Sequence, residues 1–322
     1  MKFGNIELKH GLALAPMAGY SNRAMRLLAK KYGAEYSVTE MVSAKAVVYE
    51  DKKTDALAKI LSDEGAVAVQ IFGSEPDIMA KAASVIEKGA CGGTKPVAID
   101  INMGCPVHKI YSNGEGSALM KSPELIEKIT RSVSQAVSIP TTVKIRLGID
   151  ETSLNAVECA LAAQEGGASL ITVHGRTKKQ LYSGTVDLEG IKNVKNSVHI
   201  PVFANGDIID ASSALRTFEL TGADGIMIGR GAVGNPFIFS EIKAALTGKP
   251  YTAPDINERV ECALLELLTS VDEKGEEVAV KEARKQIALY MKGFSGAAAL
   301  RAEVNRALTY KEVEAAFRKI LN

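Results

Sequence analysis

The sequence lacks the features of membrane, secreted and zinc-binding proteins. No apolar run approaches the ~20 residues of a membrane-spanning helix, and residues 1–10 alternate polar and apolar side chains, unlike a signal peptide. The cysteines are widely spaced, so neither a zinc site nor a disulfide framework is expected. The four of them are Cys91, Cys105, Cys159 and Cys262. We therefore expect a cytoplasmic protein in a reducing environment.

An excess of charge of one sign is also missing. The 39 Lys and Arg residues against 38 Asp and Glu residues leave a net charge of +1, with a pI of about 7.6. This balance argues against a uniformly basic nucleic-acid-binding protein, but it would hide a local basic patch. With 46% hydrophobic and 24% charged residues, the 322-residue chain has an ordinary globular composition. Its length suffices for one domain of about 250 residues and a smaller one.

Short apolar runs alternate with amphipathic segments of helix length, which indicates an α/β fold. The predicted strands span 12–16, 36–39, 66–72, 97–102, 142–146, 170–174, 202–204 and 225–228. Segments with the apolar spacing of surface helices include 22–32, 75–88, 123–137, 153–166 and 211–221. Eight strand–helix units over about 240 residues predict a closed (β/α)8 TIM barrel. An open doubly wound sheet is the weaker alternative, because no Gly-x-Gly-x-x-Gly opens the first strand–helix turn.

The pattern changes after Lys243. Residues 247–256 contain Gly248, Pro250 and Pro254 and are interpreted as a linker. Beyond it, helical patterns cover 258–272, 278–291, 300–305 and 311–321. The sequence therefore predicts a barrel domain over 1–246 and a small all-helical domain over 257–322.

Polar residues gather where the predicted strands end, and this end of a barrel carries active sites. After the fourth strand comes Asn102-Met103-Gly104-Cys105-Pro106, in which Gly and Pro turn the chain out of the strand. A free Cys is usually a small buried apolar residue, but a thiol in this place could protonate or attack a bound substrate. The other polar or glycine-rich strand ends are Pro16-Met17-Ala18, Gln70, Lys144 with Arg146, His174-Gly175-Arg176, Asn205-Gly206-Asp207 and Gly229-Arg230-Gly231.

Several of these residues point to an anionic cofactor. Glycines after the seventh and eighth strands let backbone N–H groups approach a phosphate, although plain turn glycines are the alternative. Lys144 has apolar neighbours and needs an anionic partner, either Asp100 on the next strand or a cofactor that becomes anionic on reduction. His174 fits either a core histidine or the site. Arg146 and Arg176 fit either substrate phosphates or surface ion pairs.

Two further stretches are candidates for substrate contact. Residues 107–121 form a long strand–helix connection that contains Lys109, and we expect a lid or substrate loop that carries Cys105 over the site. Residues 281–306 hold six basic and two acidic residues, with Tyr290 and Phe294 interleaved. This pattern fits either a solvated helix face or a footprint for a phosphate backbone.

Together these motifs resemble the tRNA-dihydrouridine synthases, most closely the bacterial B-type group. The matching stretches are distributed over nearly the whole chain, at 14–19, 69–73, 102–106, 143–146, 173–177, 205–208, 228–231, 290–294 and 296–298. The Asn-x-Gly-Cys-Pro element joined to His-Gly-Arg-Thr is the specific part. One departure is Val186-Asp187-Leu188, where the family often has Trp after the Asp; this chain has no Trp.

The resemblance implies an FMN-dependent reductase of tRNA uridines. NADPH or NADH would reduce FMN, flavin N5 would pass hydride to C6 of the uracil, and Cys105 would protonate C5 from the opposite face. The implied cofactor contacts are Pro16, Met17, Ala18, Gln70, Lys144, His174, Asn205, Gly206, Asp207, Gly229 and Arg230, with Lys144 stabilising negative charge on the reduced flavin. The implied substrate contacts are Asn102, Lys109, Arg146, Arg176, Lys285, Lys292 and Arg301. No metal, membrane or obligate protein partner is expected.

Two other functions remain open at this point. One is a flavin oxidoreductase that acts on a free small molecule such as a dihydropyrimidine, which would leave the helical tail without a role. The other is an RNA-binding module on a barrel scaffold, which would leave Lys144 and Cys105 without a role.

Overall fold

The computed structural model describes residues 1–89 and 93–321, so Cys91 lies outside the described residues. Eight parallel strands form the centre of the fold. They are β1 (Leu12–Leu14), β2 (Tyr36–Val38), β3 (Val67–Phe72), β4 (Ala98–Asn102), β5 (Thr141–Arg146), β6 (Leu170–His174), β7 (Val202–Asn205) and β8 (Gly225–Ile228). Each strand pairs with the next in chain order, and β8 pairs with β1 in the register Ile226 to Leu12, which closes the ring. The predicted TIM barrel is confirmed, and the open-sheet alternative is wrong.

Helices surround the barrel and continue beyond it. Around the strands lie α1 (Arg23–Lys31), α2 (Ala44–Val48), α3 (Lys52–Ala58), α4 (Pro76–Glu87), α5 (His108–Ser112), α6 (Pro123–Ala136), α7 (Ala156–Glu165), α8 (Leu188–Ser197), α9 (Ala211–Thr221) and α10 (Ile238–Thr247). The C-terminal helices are α11 (Ile256–Lys274), α12 (Glu276–Ala283), α13 (Ala297–Arg306) and α14 (Tyr310–Lys319). Short 3-10 helices span Ser62–Glu64, Gly116–Lys121, Arg230–Ala232 and Ile287–Met291. No helix in the described part of the chain is both long and apolar enough to cross a bilayer.

Apolar residues fill the amino-terminal end of the barrel. A hairpin of Lys2–Phe3 with Ile6–Glu7 precedes β1, and its apolar side chains pack among inward-facing strand residues. The ring of Phe3 meets that of Tyr36 edge to face, with centroids 5.4 Å apart. A larger apolar layer lies between the strands and the surrounding helices. Buried polar side chains inside the barrel include Gln70, Asn102, Arg146, His174 and Asn205, which lie at or near the carboxyl ends of their strands, the functional end of this fold.

The connection after β4 is more regular than the expected loop. It holds α5 and the 3-10 helix Gly116–Lys121. Ser117 donates both its backbone N–H (3.1 Å) and its hydroxyl (2.8 Å) to the carbonyl oxygen of Cys105. Gly116 has a φ of +60°, and a Cβ there would lie only 3.0 Å from the same carbonyl oxygen. These contacts fold the connection back onto the strand end, and its role as a lid or substrate loop stays a prediction.

The C-terminal helices pack against one side of the barrel. Leu28 of α1 and Phe237 belong to the same buried cluster as the apolar residues of α11 to α14. The ring centroids of Tyr32 and Phe237 lie 4.5 Å apart. The predicted helix over 278–291 is broken into α12 and the 3-10 helix Ile287–Met291. The division into domains at 246 and 257 stays a prediction.

Candidate active site

A chain of hydrogen bonds inside the barrel ends at the backbone of Cys105. Asn102 Oδ1 accepts from the N–H groups of Gly104 (3.2 Å) and Cys105 (2.9 Å), so its amide nitrogen must face the other way. That nitrogen donates to Gln70 Oε1 (2.8 Å), and Gln70 Nε2 donates to Asp100 Oδ2 (2.6 Å). The two backbone N–H groups thus determine the orientation of both amides. The turn that carries the thiol is held by side chains from β3 and β4.

Lys144 lies in this interior with a neutral partner. Its Nζ donates to Asn205 Oδ1 (2.9 Å), and Asn205 Nδ2 donates to the carbonyl of Met227 (2.6 Å), which fixes the amide. Burial, with the charge of Arg146, lowers the pKa of Lys144 to about 7, and Asp100 only partly opposes this. Lys144 and Asp100 do not form an ion pair; the Asp100 carboxylate instead accepts from Gln70 and from the Thr142 hydroxyl (2.5 Å). Among the described residues, the amine therefore has no full anionic counter-charge.

The Cys105 thiol is free and half-buried. Burial raises its pKa above the usual value, while the Val107 N–H and the charge of Arg146 oppose the rise. A thiol with a raised pKa stays protonated at neutral pH. Its environment favours a proton donor over a standing thiolate nucleophile.

Arg146 joins the connections after β4 and β6. This buried residue donates from Nε to the carbonyl of Gly104 (2.9 Å) and from Nη1 to those of Thr177 (2.9 Å) and Leu181 (3.0 Å). Leu181 has a φ of +53°, an uncommon conformation for a non-glycine residue. The guanidinium thereby fixes the Cys105 turn relative to the loop that follows β6. A contact of Arg146 with substrate stays a prediction.

Arg176 is only 1% exposed and forms an ion pair inside the protein. Its two terminal nitrogens donate to the Asp207 carboxylate (2.8 and 2.6 Å), and further donors reach the carbonyls of Ser183 (3.0 Å) and Gly184 (2.6 Å). The pair is buried on the arginine side and is not the surface pair that the sequence left open. It lowers the pKa of Asp207, whose φ is +50°. Arg176 therefore supports the loop after β6, and a substrate contact stays a prediction.

His174 and the ring of Tyr182 lie together at this end of the barrel. His174 is buried, and burial with the charges of the nearby cationic side chains lowers its pKa far below the usual value, so the imidazole is neutral. Tyr182 is 55% exposed, with its ring centroid 6.4 Å from that of His174. The guanidinium of Arg230 lies 4.6 Å from the Tyr182 ring centroid. The exposed ring of Tyr182 thus lies near a neutral histidine and a cationic arginine.

Gly206 and Gly229, both at this end of the barrel, differ in whether the surrounding protein would accept a side chain. At Gly206, φ is +127° and a Cβ would lie 2.8 Å from Val186 Cγ2 and 3.1 Å from His174 Cδ2. At Gly229, a Cβ would make only ordinary van der Waals contacts, with Met17 Sδ (3.6 Å) and Ala15 Cβ (3.8 Å). Packing therefore requires glycine at 206 but not at 229. Glycine at 229 is instead what close approach of a ligand to the backbone would favour.

Comparison with known proteins agrees with this geometry. The family model "Dihydrouridine synthase (Dus)" matches residues 13–322. The chain belongs to the dihydrouridine synthase family. It is 41% identical over 307 residues to a "Probable tRNA-dihydrouridine synthase" of Rickettsia conorii, which covers 95% of this chain and 91% of the relative. It is 40% identical to a "tRNA-dihydrouridine synthase B" of Vibrio vulnificus (95% and 94% covered) and to one of Shewanella oneidensis (90% and 89% covered).

The resemblance stated from the sequence motifs is thus confirmed. In this dihydrouridine synthase, Leu188 stands where the family often has Trp; it begins α8 and packs against the main apolar core. A smaller apolar side chain takes that position and is half-buried there. The departure therefore concerns packing between α8 and the barrel.

The remaining predicted residues lie in three places. Pro16, Met17 and Ala18 follow β1, with Pro16 and Met17 half-buried and Ala18 exposed. Lys109 is exposed on α5. Lys285 reaches the loop after β1, where its Nζ lies 4.8 Å from the Tyr20 ring centroid and 2.5 Å from a Cβ built at Gly19. Lys292 and Arg301 are exposed in the helical region, and no contact with the barrel mouth is seen for them in the described part of the chain.

Sequence reasoning missed two features of this dihydrouridine synthase site. One is Tyr182, whose signal was the long helix-free stretch between β6 and α8. The other is Thr142, which completes the hydrogen bonding of Asp100. The sequence predicts that Thr142 shares a strand face with Lys144, two residues later, but it does not predict that its partner is Asp100 on β4.

Proposed function

We propose that the protein reduces uridines of tRNA to 5,6-dihydrouridine, with FMN as bound cofactor and NADPH or NADH as reductant, in the cytoplasm. Family membership and the names of the relatives support the reaction and the tRNA substrate. The observation that carries the proposal is the Cys105 thiol, held protonated by its surroundings next to a cationic barrel mouth. An acid in that place is what saturation of a carbon–carbon double bond requires.

The residues at the barrel mouth fit FMN. Gly229 has no side chain to hinder a ligand group that approaches its backbone, and an anionic phosphate suits the guanidinium of Arg230. The Lys144 amine lacks a full counter-charge and would hold an anionic part of the ring. The residues that would hold FMN are Pro16, Met17, Ala18, Gln70, Lys144, His174, Asn205, Gly206, Asp207, Gly229 and Arg230. When bound and reduced, FMN would supply the hydride that adds to C6 of the uracil.

Cys105 would supply the proton that adds to C5 of the same ring. The S–H bond breaks as the C5–H bond forms, and solvent later returns a proton to the thiolate. The Val107 N–H and the positive charge of Arg146 both lower the pKa of the thiol, so they would stabilise the thiolate left behind. The Asn102 amide fixes the backbone of Cys105, which orients the thiol before the substrate arrives.

The loop after β6 would receive the target base. A base in folded tRNA must leave its stack to reach a recessed site, which costs a few kcal/mol. The exposed face of Tyr182 offers an aromatic surface that could replace part of this stacking. Arg146 and Arg176 hold this loop by the carbonyls of Leu181, Ser183 and Gly184, so the ring would be in position beforehand.

The proposal is tested by anaerobic mixing of reduced protein with tRNA that lacks dihydrouridine. Rapid flavin reoxidation by this tRNA, but not by free uridine, is expected. Cys105→Ala should keep the flavin absorbance but slow reoxidation by roughly 10²- to 10⁴-fold, because the proton donor is removed. Cys159→Ala is the matched control, since that thiol is buried in the core on α7.

Each alternative predicts a different result in the same assay. Full activity of Cys105→Ala would refute Cys105 as the acid. Reoxidation by a free base but not by tRNA would indicate a small-molecule reductase. Binding of tRNA by protein that takes up no flavin, even when FMN is added, would indicate an RNA-binding module.

A further inference from the structure

Two lysines approach one tyrosine ring beside the Cys105 turn. The Nζ atoms of Lys178 and Lys121 lie 4.1 Å and 4.7 Å from the ring centroid of Tyr111. Tyr111 is on α5, Lys121 ends the 3-10 helix that follows, and Lys178 comes shortly after β6. Three segments from two connections thus meet at this cluster, which we call the Tyr111 cluster. Tyr111 and Lys178 are half-buried and Lys121 is exposed.

The Tyr111 cluster has positive charge without a neutralising partner. In the described part of the chain, no carboxylate lies within ion-pair distance of Lys121 or Lys178. Many other surface lysines are paired, namely Lys45, Lys95, Lys192, Lys195, Lys274 and Lys319. The two ammonium groups share one ring and so lie within about 9 Å of each other, where they repel unless an anion intervenes.

The tyrosine ring explains how the lysines are held but not why they are gathered. A cation over an aromatic face at an exposed site gains about 0.5–1 kcal/mol, which offsets part of the repulsion. The ring carries no full negative charge and leaves the N–H donors of both ammonium groups free to bind an acceptor. An anion with several oxygen acceptors would satisfy both lysines at once.

The position of the Tyr111 cluster in the fold suggests which anion. The cluster follows β4 and β6, whereas the C-terminal helices pack beside α1 and the segment after β8. In a closed ring of eight strands, these two regions lie on nearly opposite sides of the barrel mouth. The helical region with its exposed basic residues therefore packs on one side of the barrel, and the Tyr111 cluster lies on the other.

We propose that Tyr111, Lys121 and Lys178 bind a phosphodiester group of the RNA backbone, on the side of the mouth away from the helical region. This inference rests on the proposed function, since it takes tRNA as the substrate. Contacts on both sides of the mouth hold the backbone while the base between them turns into the site. The exposed Lys109 on the same short helix extends the positive surface.

The test is the salt dependence of binding, measured with in-vitro transcribed tRNA and the full-length flavoprotein. Lys121→Ala/Lys178→Ala should reduce the slope of log Kd against log salt by about one per lysine, because each lysine no longer displaces a counterion. In turnover, KM for tRNA should rise while kcat at saturating tRNA is kept. Tyr111→Leu should weaken binding and Tyr111→Phe should not, because only the ring is needed.

The matched control is Lys81→Ala/Lys128→Ala, which removes two exposed lysines from α4 and α6 on the outside of the barrel. This control should keep the wild-type slope. An unchanged slope in the Lys121/Lys178 variant would overturn the inference, as would a fall in kcat with KM unchanged. Wild-type protein that neither binds nor reduces tRNA would instead refute the proposed function, so the two failures are distinguishable.

Discussion

Lys144 lowers the stability of the protein when no ligand is bound. Its amine donates to the neutral Asn205 amide, and its pKa is lowered to about 7 by burial and by Arg146. Between pH of about 7 and 10.5 the unfolded chain binds a proton at this residue that the folded chain does not. The free energy of unfolding therefore rises with pH between about 7 and 10.5. Below about pH 7, Lys144 destabilises the folded protein by its full amount.

Lys144→Met should accordingly stabilise the protein freed of flavin. The amine is partly solvated, so the expected gain in free energy of unfolding at pH below about 7 is roughly 1–4 kcal/mol, fading toward pH 10. Urea unfolding of both proteins across this pH range measures it. The variant should also bind FMN more weakly, since an amine that pairs with an anion is lost. Lower stability of the variant at every pH would contradict this account.

At the scale of secondary-structure elements, the loops that follow the strands shape the site more than the strands do. Arg146 and Arg176 hold the loop after β6 through its carbonyls, and Ser117 holds the turn after β4. The connection after β8 also serves the helical region. There, Gly234 has a φ of +67°, and a Cβ would lie 2.6 Å from Leu289 Cβ, in the 3-10 helix Ile287–Met291. The absence of a side chain at 234 lets this helix dock on the barrel.

Gly234→Ala should therefore destabilise the protein more than Gly248→Ala. Both glycines have left-handed backbone (φ +67° and +64°), so an alanine costs about 1–2 kcal/mol at either position. Gly248 has nothing within 4 Å of a built Cβ, whereas the clash at Gly234 adds roughly 1–3 kcal/mol. Thermal unfolding of the two variants gives the comparison. Equal losses would show that the 3-10 helix shifts freely.

At the scale of the whole molecule, the barrel and the C-terminal helices share one apolar cluster. Leu28 and Phe237 contribute to it from the barrel. Polar contacts cross the same boundary: the Tyr32 hydroxyl donates to Glu258 Oε1 (3.4 Å), and Arg23 forms an ion pair with Glu273 (3.1 Å). Exposing such a cluster to water would be unfavourable. The two regions should therefore unfold together.

Calorimetry should show a single transition for the intact chain, with equal calorimetric and van't Hoff enthalpies. Phe237→Ala should lower its midpoint, since truncating a buried Phe costs about 3–5 kcal/mol. Removal of residues 257–322 should leave a barrel that aggregates. Two separate unfolding transitions, of which Phe237→Ala lowers the midpoint of only the less stable one, would contradict a shared cluster.

Much of the fold was readable because buried parallel strands are continuous apolar runs. All eight predicted strands agree with the observed bounds within two residues, and the five predicted barrel helices within three. The short strand Val42–Ser43 and the N-terminal hairpin escaped prediction, because two-residue strands have no detectable periodicity. The short helices in the connection 107–121 were not predicted, because contacts with the Cys105 carbonyl, which is distant in sequence, help to form them.

The sequence by itself determined the order of strands and helices, the thiol after the fourth strand and the family, because these depend on local pattern and motif. Only the tertiary structure decided which partner each polar side chain takes. Gln70 bonds Asp100 and Asn102, Lys144 bonds Asn205, and Arg176 turns inward to Asp207. Such partners are remote in sequence and become neighbours only when the strands close into a ring, so no local window contains them.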